Sequence, residues 1–101
     1  MDIQKLMKQA QQMQAGMQKT QEELAAKNVE ASVGGGKVVV VANGAGDVQS
    51  ITIDPSVVDP EDVEFLQDLV LSGVQEAVSK GKEMAAAEMS KLTGGLGIPG
   101  M

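Results

Sequence analysis

At 101 residues the chain has the size of one domain, and a monomer this small buries only about 60 to 65% of its unfolded surface, so its own core is thin. Cysteine, histidine, tyrosine and tryptophan are absent and Phe65 is the one aromatic, which excludes disulfides, thiolate metal sites and His- or Cys-based catalysis. The net charge of −6 opposes a polyanionic partner in bulk, but it is unevenly spread. Residues 1–21 carry Lys5, Lys8 and Lys19 against Asp2 alone, and residues 78–101 carry Lys80, Lys82 and Lys91 against Glu83 and Glu88. Residues 54–68 hold Asp54, Asp59, Glu61, Asp62, Glu64 and Asp68 with no base.

The opening stretch places Ile3, Leu6, Ala10, Met13, Met17, Thr20 and Leu24 at alternating steps of three and four, the seam of a coiled coil. A helix over about residues 2–27 is predicted, roughly 39 Å long at ~1.5 Å per residue, against a radius of gyration near ~13 Å for a compact chain of this size. It should project as an arm, and its seam calls for a partner. Asn28 suits the positive-φ position that closes a helix. Val29 to Val33 reads as a strand, Gly34-Gly35-Gly36 as a turn, and Lys37 to Val41 as a β-branched strand buried on both faces. Asn43 to Asp47 reverses the chain, and Val48 to Ile53 returns with Gln49, Ile51 and Ile53 on one face.

A second helix is predicted to start at Asp59 as N-cap with Pro60 in its first position. Its stripe runs through Val63, Leu66, Val70, Val74, Ala77, Gly81, Met84 and Leu92, and Gly73 and Gly81 are placed to break or kink it. The fold class is therefore α+β: a long N-terminal helix, a three-stranded antiparallel meander and a long C-terminal helix in a single domain over 1–92. Residues 93–101 are predicted to be a flexible Gly-rich tail. No basic leader opens the chain and no apolar run approaches the ~18 residues of a membrane span, so a soluble cytoplasmic protein without a membrane partner is expected.

Catalytic and ligand signatures fail on spacing. Gly34-Gly35-Gly36-Lys37 lacks the first Gly, the Ser/Thr and the following helix of a phosphate loop. Gly44-Ala45-Gly46 has Gln49 where a dinucleotide fingerprint needs its third Gly. Ser79-Lys80-Gly81-Lys82 matches Ser-x-x-Lys without the companion motifs of serine acyl-transfer enzymes. The acidic cluster lacks the spacing of a calcium loop and is better explained by helix capping and solubility. Neither an enzyme, a cofactor nor a metal site is expected.

The helix–meander–helix order carries Val29-Glu30-Ala31-Ser32-Val33 before the three glycines, and Asn43-Gly44-Ala45-Gly46-Asp47-Val48 after β-branched residues. Ile51-Thr52-Ile53-Asp54-Pro55, the Leu66 to Ala77 helix and Lys91-Leu92-Thr93-Gly94-Gly95 follow. This arrangement resembles the YbaB/EbfC family of bacterial nucleoid-associated proteins over almost the whole chain. The resemblance implies a tweezer-like homodimer whose paired sheets form a body and whose helices project as arms, binding duplex DNA with little sequence preference in the nucleoid. By charge pattern alone the lysines are solvated helix faces. The resemblance implies phosphate contact for the set Lys5, Lys8, Lys19, Lys80, Lys82 and Lys91, while Lys27 and Lys37 serve solubility. Lysine without arginine favours backbone contact over bidentate reading of guanine. The helix seam of Ile3, Leu6, Ala10, Met13, Met17 and Leu24 would bury against another helix. The alternative reading is a dimeric protein-interaction scaffold that binds DNA repair or replication proteins through its acidic body or Met-lined arms.

Overall fold

The computed structural model describes residues 2–94, folded as α1 (Ile3–Ala25), β1 (Asn28–Val33), β2 (Val38–Asn43), β3 (Val48–Ile53), a 3-10 turn at Pro55–Val57 and α2 (Val63–Gly94). The strands form one antiparallel sheet in the order β1-β2-β3. This is the α+β order expected. The helix α2 reaches Gly94, two residues past the expected end, and the rest of the proposed tail, 95–101, lies outside the described residues. The radius of gyration is 19.5 Å and the extents are 71 × 26 × 16 Å, so the molecule is elongated because α1 projects.

Local chemistry explains most element boundaries. The Asp2 carboxylate accepts the amides of Gln4 (3.1 Å) and Lys5 (3.3 Å), satisfying donors that the first turn of α1 leaves open. All three turn glycines have positive φ, 63° at Gly34, 67° at Gly35 and 89° at Gly36, where a Cβ would be strained. Asn28 does not take the positive-φ role expected of it: it opens β1, and no non-Gly residue among those described has positive φ. The N-cap of α2 also shifts. Asp59 holds a preceding turn by accepting the Glu61 amide at 2.9 Å, while Asp62 accepts the Phe65 amide at 3.3 Å at the true start. At the 3-10 turn, the Ser56 amide and then its hydroxyl hold the Asp54 carboxyl below its ordinary range, and Lys37 at 3.5 Å acts in the same direction.

The helix α2 packs across β1 and β2 and barely touches β3. Its contact with the sheet buries Ala31, Val38, Val40, Ala42 and Ala77, flanked by Val29, Val33, Leu69, Val70 and Val74. Val39 and Val41 are only half-buried, so β2 is not buried on both faces as expected: one helix covers one face, and the other carries Glu30, Ser32, Ser50 and Thr52 on neighbouring strands. A register shift at Val41/Ala42 pairs Ala42 with Val48 and leaves Gln49 as the extra residue. Val48 therefore shares the α2-facing side with Ile51 and Ile53, which corrects the expected alternation in β3. All three are exposed, at 40%, 43% and 36%.

Gly73 and Gly81 do not break α2, which runs as one helix from Val63 to Gly94. They permit close approach instead. A Cβ at Gly73 would lie 2.9 Å from Val40 Cγ2, and one at Gly81 would clash with the carbonyl oxygen of Asn43.

Candidate functional site

The base of the arm is a polar joint that sequence reasoning missed. Asn43, 4% exposed at the end of β2, donates from Nδ2 to the Ala25 carbonyl (3.1 Å) at the C-terminus of α1. Its Oδ1 accepts the amides of Ala45 (3.0 Å) and Asp47 (2.9 Å). Gly44 donates its amide to the carbonyls of Leu24 (2.9 Å) and Lys27 (3.1 Å), and a Cβ there would meet Leu24 at 2.8 Å. Three elements thus meet at one turn: α1, the β2–β3 hairpin and, through Gly81, α2. The Asn-Gly pair signalled a hairpin, but nothing local revealed that its amide would also cap a helix distant in sequence.

Above the joint, the last turns of α2 run beside α1. Gln9, Gln12, Met13, Gly16 and Met17 face Met89 and Leu92 across an open cleft of about 620 Å³. The expected seam is accordingly divided within one protomer. Leu24 is buried, Met13 and Met17 line the cleft, and Ile3, Leu6 and Ala10 face solvent with Ile3 69% exposed. Among the described residues the α1 lining of the cleft begins at Gln9, and Ile3 to Lys8 form the outer end of α1.

All six candidate lysines are exposed, but they do not form one patch on a protomer. Lys5, Lys8 and Lys19 lie on the face of α1 turned away from its apolar stripe, by helical periodicity. Lys80 and Lys82 point about 160° apart around α2. Lys80 donates to the Glu30 carbonyl of β1 at 3.1 Å, whereas Lys82 lies by Val74, Val78 and the β2–β3 turn at Gly46. Lys91 and Lys27 both reach one oxygen of Glu88, at 3.8 and 3.7 Å. Such exposed pairs are worth about 0–1 kcal/mol and open readily. Among the described residues, Lys5, Lys8, Lys19 and Lys82 have no carboxylate within ion-pair distance.

Between Ile3 and Gln21 the helix α1 holds no carboxylate at all, and its polar surface is lysine and glutamine. Gln4, Gln11 and Gln18 recur at seven-residue spacing on its exposed side. The acidic cluster of residues 54–68 lies at the far end of the body, while Glu22 and Glu23 close α1 at its base. Asp54 pairs with Lys37 beside the β1–β2 turn, while α1 docks on the opposite, β2–β3 end of the sheet. Six-residue strands separate the two ends by roughly 20 Å, more than twice the ~8 Å Debye length at physiological salt. The described residues contain no cluster of metal-ligating side chains and no helix long and apolar enough to cross a membrane.

Residues 1–96 match the family model of the YbaB/EbfC DNA-binding family. The chain is 60% identical over 101 residues to a nucleoid-associated protein of Acetivibrio thermocellus, covering 99% of this chain and 89% of that one. It is 54% identical over 99 residues to a nucleoid-associated protein of Akkermansia muciniphila, covering 98% and 95%. The crystal structure of an uncharacterized protein from Helicobacter pylori superposes with a TM-score of 0.81 at 24% identity, covering 92% of this chain and 98% of that one, and shares the fold.

Proposed function

This chain belongs to the YbaB/EbfC DNA-binding family, and we propose that it acts as a homodimer that grips duplex DNA through lysines on its projecting helices, with little sequence preference, in the cytoplasmic nucleoid. The observation that carries this reading is the carboxylate-free stretch of the arm from Ile3 to Gln21: Lys5, Lys8 and Lys19 lie on it, and α1 is held away from the acidic cluster of residues 54–68. Lysine is a flexible point charge suited to phosphate, and the absence of arginine disfavours bidentate reading of guanine. Lys80, Lys82 and Lys91 on α2 extend the basic surface, with Lys91 released from Glu88 when a phosphate competes. The twofold copy doubles every contact, which offsets the weakness of each.

Dimerisation follows from what one protomer leaves uncovered. Val48, Ile51 and Ile53 along β3, Phe65 and Leu71 on α2, and Ile3 and Leu6 of the α1 seam are large apolar side chains left exposed on one protomer, and such surface commonly marks a site of interaction. Sedimentation equilibrium at micromolar concentration is expected to give twice the 10.5 kDa chain mass; a 10.5 kDa species would reject the dimer. The expected result for DNA is a shift of random duplex that weakens steeply with salt, with a slope of about −0.9 per neutralised phosphate. A gel-shift titration at two salt concentrations reads it. The Met-lined cleft favours a second reading, a scaffold for DNA repair or replication proteins. Absence of a DNA shift at low salt would move the assignment there.

A further inference from the structure

We propose that Gln4, Gln11 and Gln18 of α1 read base edges in the major groove, giving the arm a modest preference for adenine-containing sites. The inference rests on the DNA-binding reading above and adds the residues that would contact bases.

The helix α1 presents its polar side as a defined line. Gln4, Lys8, Gln11, Ala15 and Gln18 follow one another at steps of four, three, four and three, and all are exposed. Seven-residue spacing drifts by only ~20° per repeat on a straight helix, so the three glutamines stay in register along the arm. By the same geometry this line lies roughly opposite the apolar stripe of Ile3, Leu6, Ala10, Met13 and Met17. The arm can therefore bury its stripe against protein and offer its glutamines outward at once. Lys5 and Lys19 lie along one side of the line, placed for the phosphates on one border of a groove, and Ala15 within it lets the helix come close.

The chemistry is specific to glutamine. Its side-chain amide offers one acceptor and two donors, and it pairs in bidentate fashion with adenine N7 and N6. Consecutive glutamines of the line lie about 10.5 Å apart along the helix, close to three base-pair steps of ~3.4 Å. A solvated helix face needing only solubility usually alternates Glu with Lys at i,i+4. Here residues 3–21 contain lysine and glutamine without a single carboxylate, a surface complementary to phosphate that still carries hydrogen-bonding groups.

The test compares the full chain with the triple variant Gln4→Ala, Gln11→Ala, Gln18→Ala. Alanine is the best helix former, so the variant is expected to keep its fold, checked by circular dichroism and by sedimentation. Duplexes selected from a random pool by the parent should bind it about fivefold or more tightly than the unselected pool. The triple variant should bind the unselected pool within about twofold of the parent, with the same salt slope, and lose the preference. A parent that shifts DNA without any preference, or a variant that keeps it, overturns the base-reading role alone. A variant that loses pool binding as strongly as selected-site binding also overturns it, because the glutamines would then be backbone contacts. If the parent shifts no duplex at low salt, the DNA reading fails and this inference with it.

Discussion

Gly81→Ala is expected to lower the melting temperature by roughly 15 °C, from a loss of about 3 kcal/mol in a domain where each kcal/mol is worth ~4–8 °C. In an isolated helix the same change would stabilise by up to about 1 kcal/mol, because glycine is a poor helix former. The sign reverses here because the new Cβ would enter the space of the Asn43 carbonyl oxygen, which is backbone and cannot rotate away. The helix α2 would have to lift from the β2–β3 hairpin. That movement would disturb the buried joint where Asn43 holds the Ala25 carbonyl and Gly44 holds Leu24. Gly16→Ala in α1 is the control, since nothing lies within 4 Å of a Cβ there, and it should hold or raise stability. Differential scanning calorimetry on the pair measures both, and equal melting temperatures would show that α2 does not rest on the hairpin at Gly81.

The largest effect on DNA binding is expected from Lys5→Glu, Lys8→Glu, Lys19→Glu and Lys82→Glu made together. These four lysines are exposed and, among the described residues, have no carboxylate partner, so their replacement should change stability by less than about 0.5 kcal/mol each. Affinity for random duplex should fall by about 100-fold or more at low salt, because every lost contact becomes a repulsion and a dimer counts each twice. The salt slope should become shallower by about 0.9 for each phosphate contact removed. Lys27→Glu with Lys37→Glu is the comparison, since these lysines pair with Glu88 and Asp54 nearer the body. They should matter far less. If the quadruple variant remains dimeric and shifts random DNA as the parent does, the arms are not the DNA surface and the scaffold reading takes over.

The helices, the meander and the elongated shape were legible from local patterns. A three-four spacing from Ile3 to Leu24 is a property of one helix, and three successive glycines or an Asn-Gly pair specify a turn through their own backbone freedom. The lysine distribution along α1 was equally plain, because exposure of a charged residue on a projecting helix needs no tertiary information. What depended on distant partners was misread. The run Val38 to Val41 looks doubly buried in one dimension, yet a single helix covers a single face, and the number of layers is set by what else the chain has to pack. The β3 alternation failed because the extra residue at Gln49 is defined only by pairing with β2. Gly81 reads as a helix breaker until the Asn43 carbonyl is brought against it from 38 positions away in sequence. Asn43 likewise becomes the anchor of the arm only when Ala25 lies beside it. Periodicity and turn chemistry act over a few residues and are written in the sequence; close approach and face coverage arise when separate elements meet, and so they belong to the packed structure.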